Sequence, residues 1–319
     1  MRARAYLSVV FTLVFCGLCG ARSASAAHLS YGWQAVDGVN IFFREGGPSS
    51  APTVVFLHGS PASSIMYEEL MEDLTESRSV HAVALDYPSF GYSDAPDART
   101  YRYTFDNIAA TVSKFLAQRH IEGYALYMQD YGVPIGFRLF TATPTAVSAL
   151  IVQNGVIHLD GFPAAQNPDG VLRRYWAKRD AGADKRWADE VRAAGFPSAA
   201  SWKGDASLSP DITLLEIQSE HRPGVTDART DLWFDYGANL AHYPQWQQAL
   251  RRTDVPVLII WGDQDDFFTT PGALAYLRDA PHAEVHILDA GHFATLQKPA
   301  EIAGLMEAFL RGQHSFRPQ

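Results

Sequence analysis

Cysteine is nearly absent. The 319-residue chain has two, Cys16 and Cys19, and both sit inside one apolar run near the N-terminus. Their C-x-x-C spacing can mean metal or redox chemistry, but here it would leave with a leader peptide. Residues 2–26 carry Arg2 and Arg4, an apolar stretch from Tyr6 to Leu18, and then Ala24-Ser25-Ala26, the small-x-small pattern of a cleavage site. We read residues 1–26 as a cleaved signal peptide, so that the mature chain is exported, periplasmic or secreted, and free of disulfides. Its fold must then be held by the core alone, which a chain of this length can supply.

Long apolar runs are also lacking. The stretch from Tyr6 to Leu18 is about 13 residues, short of the roughly 20 a spanning helix needs, and no second run of that kind follows. A lipid anchor would need small residues just before Cys16 or Cys19, where Phe15 and Leu18 stand. No stable membrane anchor is expected. Positive charge is in deficit: the formal charge is −9, and losing Arg2, Arg4 and Arg22 takes it three lower, to −12. That balance argues against nucleic acid as a partner. The usual metal and phosphate motifs are missing, so no cofactor is expected. Internal repeats are missing too, and oligomeric state stays open.

What is there is an alternation. Short runs rich in β-branched residues at 41–44, 53–57, 81–85, 124–128, 149–152, 255–261 and 284–288 suggest strands, several of them buried on both faces. Helical patterns at 66–74, 105–118, 136–142, 271–277 and 300–310 lie between or after most of them. Strand alternating with helix implies an α/β protein with a mostly parallel sheet and helices on both faces. Asp37-Gly38 between two strand patterns predicts a hairpin opening the sheet.

The alternation breaks between Val156 and about Gln245, a stretch containing Trp176, Trp187, Trp202, Trp233 and Trp246. An inserted helical cap over residues 156–245, flanked by core segments 27–155 and 246–319, fits this pattern. Its tryptophans serve either as packing or as the lining of a site, because sites on open parallel sheets lie at the carboxyl ends of strands.

One turn stands out. In "YMQDYGVPIGF", residues 127–137, a strand runs into a glycine-punctuated turn and a helix, with Asp130 at the apex. That is the layout of a nucleophile elbow, in which Gly132 is the small residue the bend wants while Met128 fills the other, normally small, position. The same aspartate could simply cap the helix. Partners at other strand ends bear on the choice. A carboxylate nucleophile forms an ester that a histidine held by a second carboxylate can hydrolyse. "VLIIWGDQDDFF" offers Asp265, with Asp263, Asp266 and Asp289 as competing acids, and "VHILDAGHFA" offers His292. The order Asp130, Asp265, His292 is the nucleophile, acid, histidine order of this fold class. In "FLHGSP" the Ser60 N–H, together with that of Tyr131, could form an oxyanion hole.

Taken together, "HGSP", "DYPSFGYSD", "QDYGVPIG", "WGDQD" and "GHFA" resemble the α/β-hydrolase superfamily, at the branch of epoxide hydrolases and haloalkane dehalogenases. The resemblance covers nearly the whole mature chain and implies alkyl transfer onto Asp130, with His292 activating water and Asp265 orienting it. It also implies that epoxide hydrolases carry two cap tyrosines. Tyr175, 45 residues after Asp130, and Tyr236, 29 before Asp265, stand at matching offsets, with Tyr243 in reserve. Dehalogenases of the branch use Trp directly after the nucleophile and a second N–H donor. Tyr131 and Ser60 occupy those positions here, leaving Trp176 as the evident replacement. His58 and Trp176 are placed in the substrate pocket.

The expectation is an exported epoxide hydrolase acting with water on a small apolar or aromatic substrate. A haloalkane dehalogenase is the alternative, and a hydrolase-like binding protein a further one.

Overall fold

The computed structural model describes residues 28–77, 79–163, 171–179, 182, 184–186 and 208–313. The leader, Trp187 and Trp202 lie outside them. Eight strands form one sheet: β1 (Ser30–Val36), β2 (Val39–Gly46), β3 (Thr53–Leu57), β4 (His81–Leu85), β5 (Tyr124–Gln129), β6 (Val147–Gln153), β7 (Val257–Gly262) and β8 (Glu284–Leu288), in the order β1-β2-β4-β3-β5-β6-β7-β8. The β1–β2 and β2–β4 pairs are antiparallel and the rest parallel. The opening hairpin turns at Asp37 and Gly38, which both have positive φ, 51° and 82°.

Strands β3, β4, β5 and β7 are buried along their whole length. Because successive side chains point to opposite faces, each strand feeds two cores. Val55, Leu57, Leu126, Met128, Leu150 and Val152 join one cluster with α2 (Phe105–Gln118) and α3 (Gly132–Ala142). Val54, Phe56, Ala125, Tyr127, Ala149 and Ile151 join another with α1 (Glu68–Glu76) and, at the end of the chain, Ile302, Met306 and Leu310. Each fully buried aliphatic side chain contributes about 1.5–3 kcal/mol.

The lobe between β6 and β7 contains α4 (Val171–Ala177), α5 (Pro210–Glu220) and α6 (Val225–Arg251). Helix α6 starts at Gly224, with φ of 80°, and its 27 residues run past position 245, expected to end the cap, into the core, where Trp246 and Leu250 are buried. Cap and core therefore share a helix. After β7 come α7 (Pro271–Ala275), then α8 (Ala294–Gln297) and α9 (Pro299–Arg311). Among the described residues, no helix is long and apolar enough to cross a membrane.

Candidate active site

At the end of β5 the chain turns so sharply that Asp130 adopts φ of 48°, the left-handed region, at a cost of roughly 1–3 kcal/mol. Two glycines make the bend possible. A Cβ on Gly132 would lie 2.0 Å from the Leu57 carbonyl oxygen, and one on Gly136 would lie 2.2 Å from Met128 Sδ. The bulk of Met128, out of place by the usual pattern, is thus accommodated one turn into the helix.

The carboxylate of Asp130 is 2% exposed and faces two ways. Its Oδ1 accepts the Ser60 N–H at 2.8 Å, and the Tyr131 N–H also hydrogen-bonds the carboxylate. Its Oδ2 lies 4.0 Å from His292 Nε2. The Ser60 N–H, one of the two expected oxyanion donors, therefore already holds Oδ1, the oxygen that would gain charge if water attacked an ester formed on Oδ2. Burial pushes the Asp130 pKa up to about 6, against the opposing pull of His292 and the two N–H groups.

An ionised group so raised opposes folding. At 3.8 unfolded and about 6 folded, the penalty is about 3 kcal/mol at most, full above pH 6 and relieved as pH falls towards 3.8. Asp130→Asn, which keeps the Oδ1 acceptor, is expected to raise Tm by about 5 °C at pH 7, with the gain fading below pH 6. Thermal melts across pH check it; an unchanged or lower Tm at pH 7 contradicts it.

Asp265, 4% exposed, accepts four hydrogen bonds: from Phe267 N at 2.7 Å, Phe268 N at 3.0 Å, Asn154 Nδ2 at 2.8 Å and His292 Nδ1 at 2.8 Å. The competing acids Asp263, Asp266 and Asp289 are exposed. Facing a carboxylate fixes the proton of His292 on Nδ1 and leaves Nε2 toward the nucleophile. Burial lowers the His292 pKa, and Asp265 and Asp130 more than reverse this, so the net direction is upward.

The cap closes over this triad with aromatic rings. Tyr131, Phe162, Trp176, Trp233, Tyr236 and Phe267 line a space of about 180 Å³. Ser60, Asp130, Tyr131, Trp233, Phe267 and His292 line one of about 230 Å³. Tyr236, in the middle of α6, is 3% exposed, and its ring lies 5.8 Å from that of Tyr131. Its hydroxyl makes no hydrogen bond of ordinary geometry among the described residues and lies beside that of Tyr243. Burial, then Tyr243 and Asp130, raise its pKa well above 10, so it keeps its proton.

The other expected pocket residues are placed differently. Tyr175 donates its hydroxyl to the Thr230 carbonyl at 3.3 Å and packs on Phe234. Trp176 lines the pocket and stacks on Tyr236 at 5.4 Å, but its indole N–H donates to the Trp233 carbonyl at 2.8 Å. His58 is fully buried beneath the oxyanion loop, with Nδ1 on the Gly59 carbonyl at 2.8 Å and Nε2 accepting the Tyr87 N–H at 3.3 Å. Burial pushes its pKa down to about 4, so it is a neutral support for the loop. Tyr243, the reserve, is buried against Trp246.

Two residues were not singled out from the sequence. Asn154, with φ of 42°, ties the strand ends together: its carbonyl accepts the Asp130 N–H at 3.2 Å, its amide holds Asp265, and its Oδ1 accepts the Gly262 N–H at 2.9 Å. An Asn-Gly pair at the end of a buried strand was the available signal. The other is Gln129, beside His292. Among the described residues, no group of three His, Cys, Asp or Glu side chains could hold a metal ion.

Comparison with known proteins agrees with this architecture. Residues 52–299 match the alpha/beta hydrolase fold family. An uncharacterized hydrolase of Saccharomyces cerevisiae is 32% identical over 277 residues, covering 82% of this chain and 90% of its own. A haloalkane dehalogenase of Mycolicibacterium paratuberculosis is 24% identical over 298 residues, covering 83% and 85%. An epoxide hydrolase from Vigna radiata has the same fold, with a TM-score of 0.69 at 20% identity over 89% of this chain and 98% of its own. With the family model matched over residues 52–299, most of its length, the chain belongs to the α/β-hydrolase family.

Proposed function

We propose that the protein is an epoxide hydrolase that converts a small apolar or aromatic epoxide and water into a diol. The observation that carries this reading is the buried hydroxyl of Tyr236 on the cap helix, beside the hydroxyl of Tyr243 and within the aromatic lining shared with Tyr131. Asp130 Oδ2 attacks a ring carbon, the C–O bond of the ring breaks, and the departing alkoxide takes the Tyr236 proton. Water then adds to Asp130 Cγ while His292 Nε2 takes its proton. The oxyanion forms on Oδ1, between the Ser60 and Tyr131 N–H groups. Collapse expels the diol oxygen, which is protonated by the imidazolium, and the carboxyl group returns a proton to the tyrosinate through solvent.

Halide release would instead call for N–H donors at the leaving group. Trp176 has spent its N–H on the Trp233 carbonyl. The aromatic rings that line both spaces favour an apolar or aromatic substrate. Export through the cleaved leader belongs to the same proposal and rests on the sequence pattern.

Turnover of small epoxide and haloalkane panels tests the reading. Diol from at least one epoxide, with no halide release, is the expected result; halide release without diol would assign the site to dehalogenation. A protein that binds panel members but turns none over, with binding unchanged in Asp130→Ala, would be a binding module.

A further inference from the structure

Gln129, the last residue of β5, is completely buried directly before the nucleophile. Its Nε2 lies 3.0 Å from His292 Nε2 and 3.4 Å from the His292 carbonyl oxygen. Gln153, its cross-strand partner on β6, donates to the same carbonyl at 3.0 Å. The orientation of the Gln129 amide follows from this. Turned over, its carbonyl oxygen would face the carbonyl of His292, whereas the NH₂ group satisfies both acceptors at once. An N–H aimed at Nε2 requires a lone pair there, so His292 must be neutral, with its proton on Nδ1 against Asp265.

The other end of the amide says more. Gln129 Oε1 is buried and has no hydrogen-bond partner among the described residues, and it sits where a side chain on residue 59 would be: a Cβ on Gly59 would lie 2.3 Å from it. A side chain present for packing alone would not strand a buried carbonyl oxygen, and Met would fill the same space without that loss.

We propose that Gln129 holds His292 in its neutral, base-competent form in the free enzyme by donating an amide N–H to Nε2, and that the attacking water takes over this position once Asp130 carries the ester. This rests on the reading of Asp130 and His292 given above. The need arises from the charges around the ring. The two carboxylates facing it, Asp130 from the elbow and Asp265 from the loop after β7, both favour the imidazolium, and the rings of Phe267, Phe268 and Phe293 pack around it. A protonated Nε2, 4.0 Å from Asp130 Oδ2, would pair with the oxygen that must attack. Gln129 opposes that pairing, and as a positioning residue it acts through His292 alone.

The test needs no substrate, so a wrong substrate class leaves it intact. His292 is titrated by ¹³C and ¹⁵N NMR in the wild-type protein and in Gln129→Met, with His292→Gln for assignment. Losing a donor to the neutral form is expected to move the midpoint up by roughly one pH unit. An unchanged midpoint would mean a merely structural glutamine, and a downward shift would mean that Oε1 faces a protonated Nε2; either result overturns the proposal. Should Gln129→Met fail to fold, the wild-type spectrum decides: an unprotonated Nε2 with protonated Nδ1 at neutral pH is expected, and a protonated Nε2 there contradicts it.

Discussion

His292→Gln is expected to lose steady-state turnover by about 10³-fold or more while still completing the first chemical step. The two half-reactions use different groups. Alkylation needs the Asp130 carboxylate and an acid for the leaving oxygen, and neither comes from His292. Hydrolysis needs a base within reach of a water at Asp130 Cγ, and Nε2, 4.0 Å from Oδ2, is the base so placed. Glutamine preserves size and polarity but cannot take a proton. The variant should therefore show a burst of one substrate per enzyme followed by near silence, read by rapid-quench kinetics. Loss of the burst together with turnover would mean that His292 acts before the ester forms.

Tyr236→Phe is expected to lower epoxide turnover by about 10²–10³-fold, the usual effect of removing one donor from developing negative charge. Among the described residues the hydroxyl makes no hydrogen bond of ordinary geometry, so its removal should change stability little. The fall should appear in the alkylation step, measured by single-turnover kinetics, because the hydrolytic oxyanion is served by the Ser60 and Tyr131 N–H groups. Tyr175→Phe should cost far less, since that hydroxyl serves the Thr230 carbonyl. Equal losses in the two variants would mean that the cap rearranges when substrate binds.

Much of the fold could be read from the sequence because burial of the sheet is periodic. The runs at 53–57, 81–85 and 284–288 coincide with β3, β4 and β8, and the Asp37-Gly38 turn carries the positive φ values that such a pair adopts. That Asp130, Asp265 and His292 meet was legible for a similar reason: they stand at strand ends, where the chain order locates them. What was not legible depends on side-chain direction and on distant pairings. Offsets placed Tyr175 and Trp176 on the cap, but consecutive residues on a helix point about 100° apart. The turn that stacks Trp176 on Tyr236 sends Tyr175 to Phe234 and Thr230. Met128 looked unfavourable because its counterpart, Gly136, lies eight positions away, across the elbow and one turn into the helix. Gln129 and His292 stand 163 positions apart in the chain and meet only in the folded protein. His58 seemed part of the pocket from its place in the loop, yet the loop turns it inward onto Tyr87.

The central claim is that Asp130 becomes covalently alkylated, and intact-protein mass spectrometry of His292→Gln after separate exposure to epoxides and haloalkanes tests it most directly. The account expects a mass gain equal to one whole epoxide, located on the peptide containing Asp130 and absent when Asp130→Asn is added. A gain equal to an alkyl group without its halogen would retain the nucleophile and change the reaction. No adduct from either panel, in a protein whose wild type still yields diol, would contradict the account.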